Sequence, residues 1–192
     1  MKKSSVWIGS IVCALLLNGC ASQNPVENQV EELQNTQKFE TREWLNYYYA
    51  VNEMPWEKSV ELTLSEFPDV VFTWNPLTVT SKKDGNENVL FEGMPIWNVY
   101  LCDLTEDGLP EFCATVSFGS GIVDQHIIVY DFQNKNSYTL WERGVYDYML
   151  TLKEDQLQVT KMGKNLSETG KLVLMTEDST GEQYLGIEFE DH

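Results

Sequence analysis

Apolar residues along most of this chain come in short runs rich in β-branched and aromatic side chains, divided at hairpin-like intervals by Asp, Asn, Gly and Lys clusters. That pattern predicts strands. They are expected at about 60–66, 70–74, 76–82, 88–92, 96–102, 111–118, 125–132, 137–141, 146–152, 156–161, 171–175 and 183–189. In the run 112–118 the alternation puts Phe112, Ala114, Val116 and Phe118 on one face, as a half-buried strand requires. Short turns and the absence of crossover helices between strands point to an antiparallel meander, either closed into a barrel or folded as a sandwich. One segment reads differently. From Thr41 to Ala50 the spacing predicts a short N-terminal helix, with Thr41 as its N-cap and Trp44, Leu45 and Tyr48 along one face.

The N-terminus carries a separate pattern. Lys2 and Lys3 precede an apolar run from Val6 to Leu17. At about a dozen residues the run is too short to span a bilayer and fits the h-region of a signal peptide. It ends in Leu17-Asn18-Gly19-Cys20, which resembles the lipobox of exported lipoproteins, in which cleavage precedes the cysteine that receives diacylglycerol. Residues 1–19 are therefore expected to be a signal peptide and Cys20 a lipidation site, with the chain held on the extracytoplasmic face of the cell membrane. Each buried methylene of an anchor contributes about 0.8 kcal/mol, and stable attachment takes more than one acyl chain. Residues 21–37 are rich in Asn, Gln and Glu with little to bury, and read as a flexible linker. Residues 38–192 are then one β-rich extracytoplasmic domain, long enough for a core of its own.

Charge narrows the partners more than it names one. The 192 residues hold 13 Lys and Arg against 30 Asp and Glu, a formal net charge of −17. Loss of Lys2 and Lys3 with residues 1–19 would leave 11 basic residues against the same 30 acids, or −19. Such a field repels nucleic acid and anionic lipid, and favours cations, basic peptides or basic polymers.

The stretch of greatest chemical interest is 103–111. Asp103, Thr105, Asp107 and Glu111 place side-chain oxygens at positions 1, 3, 5 and 9, with Gly108 at 6 and the Leu109 carbonyl at 7. Calcium takes six to eight hard oxygen ligands, alternate residues of a tight loop can turn toward one ion, and glycine permits the sharp bend. The loop is not an EF-hand, because position 12 is Ala114 and strands flank it. It is similar to the aspartate-rich loops of FG-GAP and VCBS repeats, although those come in several copies. Asp107-Gly108 is equally a strong type I′ hairpin signal. In that register Cys102 lies opposite Cys113, close enough for a disulfide in an exported protein. Calcium loop and plain acidic turn are competing readings.

Catalytic constellations are missing. The two histidines after the N-terminal segment are His126 and His192, and HExxH, Ser-x-x-Lys and a Walker loop are absent. Paired carboxylates of a wall-polymer hydrolase are the one enzymatic arrangement that 30 acids leave open. Among many aromatics, Tyr47, Tyr49 and Trp56 are the least clearly inward and could form a binding surface.

Residues 66–163, above all Phe91 to Thr105 and Phe118 to Asp124, are similar to an extracytoplasmic C-terminal domain of clostridial membrane metallopeptidase antirepressors of the β-lactam-sensor type. The membrane helices and HExxH of those proteins are lacking here, as is the Ser-x-x-Lys of the penicillin sensor. The resemblance thus implies a shared surface domain of a Firmicutes envelope, and neither proteolysis nor acylation. The combined expectation is a non-enzymatic binding or sensing lipoprotein with an unidentified envelope ligand, stabilised by calcium if the acidic loop is a calcium loop rather than a plain turn; the alternative is a cell-wall polymer hydrolase using paired carboxylates.

Overall fold

The structure, a computed structural model, describes residues 39–48, 54–119, 125–142 and 144–189. These form an all-β, antiparallel arrangement of three open sheets, none of which closes into a barrel. The central sheet has the order β1-β6-β7-β8-β9, from β1 (Arg42–Asn46), β6 (Ile96–Cys102), β7 (Glu111–Val116), β8 (His126–Asp131) and β9 (Asn136–Leu140). A second sheet is the meander β2 (Val60–Leu64), β3 (Phe67–Trp74), β4 (Thr78–Lys83) and β5 (Asn86–Glu92). The third is the meander β10 (Asp147–Lys153), β11 (Gln156–Gly163), β12 (Leu166–Thr176) and β13 (Gln183–Glu188). Each of the twelve expected strands falls on one of β2 to β13.

The central sheet is covered on both faces. Val99 and Leu101 of β6 and Phe112, Ala114 and Val116 of β7 join one core with Phe72, Trp74 and Val79 of the second sheet. The alternate residues Tyr100, Cys102 and Cys113 join a second core with Tyr148, Leu150, Leu157 and Leu172 of the third. Every residue of β7 is buried. The half-buried strand expected there is corrected accordingly: Phe112, Ala114 and Val116 do share a face, but the opposite face is dry as well. Phe118 lies beyond the strand and is exposed.

Two buried side chains lock the third sheet onto the central one. Asn98 donates from Nδ2 to the Leu150 carbonyl (3.1 Å), and the Leu150 N–H donates to Thr115 Oγ1 (2.9 Å). The Thr115 N–H in turn donates to Asn98 Oδ1 (2.9 Å). The polar groups of one β10 residue are thereby satisfied across the layer rather than left orphaned in the core.

The expected helix over 41–50 is corrected: β1 occupies Arg42–Asn46, Thr41, Tyr47 and Tyr48 are not helical, and 49–50 lie outside the described residues. β1 pairs antiparallel with β6, with Arg42 opposite Leu101 and Leu45 opposite Val99. A bulge between Glu43 and Leu45 interrupts the register. Because a bulge lets neighbouring residues turn to the same side, Trp44 and Leu45 both reach the first core. That adjacency imitates a helical stripe in sequence, while the hydrogen bonds go to the edge of β6.

Candidate metal centre

The segment joining β6 to β7 runs from Asp103 to Pro110, and its register excludes the tight hairpin. Cys102 pairs with Glu111 and Tyr100 with Cys113. The Asp107-Gly108 turn required Cys102 opposite Cys113, so the pairing is displaced by two residues and an eight-residue loop takes the place of a two-residue turn. Both cysteines are buried thiols with no disulfide between them, which corrects the expected pairing. Burial pushes the Cys113 thiol well above its ordinary range, and the neighbouring Cys102 and Glu111 side chains add to the rise.

The loop is organised around its carboxylates. Asp103 accepts the Asp107 N–H on Oδ1 (3.1 Å) and the Gly108 N–H on Oδ2 (3.0 Å), which folds positions 5 and 6 back over position 1. Asp107 Oδ1 accepts the Leu109 N–H (2.8 Å). Gly108 lies at φ +85°, a left-handed conformation that glycine adopts without a Cβ clash, and Glu106 at φ 60° shares that region. Leu104 packs against the second core and Leu109 against the first, so the loop is pinned on both sides of the central sheet.

Glu111 is the deepest of the acids, 1% exposed at the start of β7. It accepts the Leu104 N–H on Oε2 (2.6 Å) and the Thr105 hydroxyl on Oε1 (2.8 Å). Burial raises its carboxyl to about pKa 7 despite those hydrogen bonds, with a smaller upward push from Asp103. One carboxylate oxygen each of Asp103, Asp107 and Glu111 lies within 4.8 Å of the others. Half-buried, exposed and buried in that order, the three form an acidic cluster able to coordinate a metal ion. An all-oxygen donor set suits hard cations such as Ca²⁺, Mg²⁺ or Mn²⁺.

The residues expected from the sequence are thus brought together in part. Asp103, Asp107 and Glu111 converge, and Thr105 is tied to Glu111. Leu109 gives its N–H to Asp107 and its side chain to the core. Of the three aromatics anticipated as a surface, Tyr47 is half-buried, stacks on Trp74 (centroids 5.1 Å, 20°) and accepts from Lys58 Nζ on its hydroxyl (2.7 Å), while Tyr49 lies outside the described residues. Trp56 is exposed. Sequence reading missed an exposed pair, Phe118 and Trp141, whose rings lie 5.3 Å apart beside the buried His126. Strand alternation had turned Phe118 inward, and only the end of β7 at Val116 frees it.

Comparison with known proteins assigns no family. No protein-family model matches the chain, and no curated protein or solved structure matches it significantly. Among the described residues no helix is long and apolar enough to cross a membrane. Cys20 and the whole N-terminal segment lie outside the described residues.

Proposed function

We propose that this chain is a lipid-anchored extracytoplasmic binding or sensing module whose acidic loop takes Ca²⁺. The observation that carries the calcium reading is the fold-back of the loop on Asp103, which collects three carboxylates within 4.8 Å at the spacing a calcium loop uses. Ca²⁺ is favoured over Mg²⁺ because it accepts irregular oxygen geometry, whereas Mg²⁺ demands a near-ideal octahedron. The anchoring reading rests on the run before Cys20, and the likeness to antirepressor surface domains supports a place in the envelope.

Binding is preferred to hydrolysis for a physical reason. A carboxyl raised to about pKa 7 would suit general acid chemistry, but Glu111 is buried and both its oxygens are occupied from within the loop. A substrate would have to displace those bonds. An ion inside the loop could add to them.

Thermal unfolding tests the calcium reading. Free Ca²⁺ at 100 times its dissociation constant stabilises by about 2.7 kcal/mol. For a domain of this size that is a rise in Tm of roughly 5–10 °C. Asp103→Ala and Asp107→Ala are each expected to abolish the rise. A melting curve unchanged by millimolar Ca²⁺ would overturn the reading.

A further inference from the structure

The second core does not close completely at the end of the central sheet that carries the acidic loop. A cleft of about 700 Å³ opens there between the end of β6 with its following loop and strands β11 and β12. That volume lies within the range of ligand sites. Its floor is apolar: Leu157 and Leu172 are buried, and Leu104 and Leu174 are half-buried beside them. The remaining lining is charged at Glu40, Asp103, Glu106, Asp155 and Lys171, a formal −3 from four acids and one lysine.

We propose that this cleft docks a short basic peptide segment carrying apolar side chains. Four carboxylates around an oily floor repel one another and gain most from a ligand that brings positive charge to them and hydrocarbon to the floor. A small polycation would leave the floor unused, and a neutral apolar ligand would leave the carboxylates uncompensated. An acidic partner is repelled. The inference does not rest on calcium binding, because the cleft and its charge are present without an ion.

The test is fluorescence anisotropy of a fluorescein-labelled hexapeptide of alternating lysine and leucine, titrated with the full chain in EDTA at low salt. Saturable binding with Kd in the micromolar range is expected, weakening at least 10-fold between 0.05 and 0.5 M NaCl. Glu40 and Asp155 are exposed, so the double variant Glu40→Gln/Asp155→Asn keeps the fold, checked by an unchanged Tm, and is expected to weaken binding at least fivefold. Asn suits position 155 because the residue sits at φ 62°. Lys171→Glu is expected to tighten binding. No saturation below 1 mM, or an unchanged Kd in the double variant, overturns the proposal. Equal binding of the lysine-acetylated peptide, or of a spermine probe, overturns it too, by showing that the apolar floor or the charge alone is sufficient.

Discussion

At the scale of single residues, Glu111 has the most exposed consequences for being buried. Its carboxyl is raised from an ordinary 4.5 to about 7, so between those values the folded chain holds a proton that the unfolded chain has released. Stability must then fall as pH rises through that window, by up to about 3 kcal/mol for this one group. Urea denaturation in EDTA at pH 4.5 and at pH 7.5 measures the fall, and Glu111→Gln is expected to remove that share of it. The residue identities of the loop were legible in sequence: Asp103, Thr105, Asp107 and Glu111 stand at oxygen-donor spacing. The depth of Glu111 was not, because position 111 becomes interior only when the third sheet covers the even face of β6 and the odd face of β7. The cysteines illustrate the converse. Their spacing around Asp107-Gly108 suits a disulfide, but an eight-residue loop in place of a two-residue turn displaces the pairing by two residues and moves the cysteines out of register.

At the scale of elements, strands β2 to β13 followed from runs of branched and aromatic residues, and β1 did not. Trp44 and Leu45 lie next to each other in the chain and in the same core, which a regular strand forbids and a bulge allows. The bonding of β10 to the central sheet is a further feature that no local pattern marks. Replacing Thr115 by Val leaves the buried Leu150 N–H without its acceptor, and the expected cost is about 1–3 kcal/mol. Chemical denaturation reads it directly. In the third sheet Gly170 sits opposite Val159 at the centre of β12, and a Cβ there would come 2.5 Å from the Glu188 carbonyl oxygen and 2.6 Å from Ile187 Cγ2. Gly170→Ala should therefore destabilise by about 1–3 kcal/mol through overpacking. The same substitution at Gly85, which has open space around it but φ +80°, separates crowding from backbone strain.

At the scale of the whole molecule, Asp103 belongs both to the carboxylate cluster and to the lining of the cleft. An ion on the loop lowers the negative charge that attracts a basic peptide, and the coupling is reciprocal. Ca²⁺ is thus expected to weaken the lysine–leucine peptide and the peptide to weaken Ca²⁺, by the same factor. Calorimetric titration of each in the presence of the other measures both sides of that equality; a peptide affinity indifferent to saturating Ca²⁺ would separate the two sites. The amino-acid sequence by itself determined strands β2 to β13, the acidity and the donor spacing of the loop, since these depend on local periodicity, charge count and distance along the chain. Tertiary structure alone decided that three sheets stack with the β6–β7 pair dry on both sides, that Glu111 is buried, and that a cleft opens beside the loop. Those features arise where residues far apart in sequence meet, and periodicity within a strand carries no information about what covers its other face.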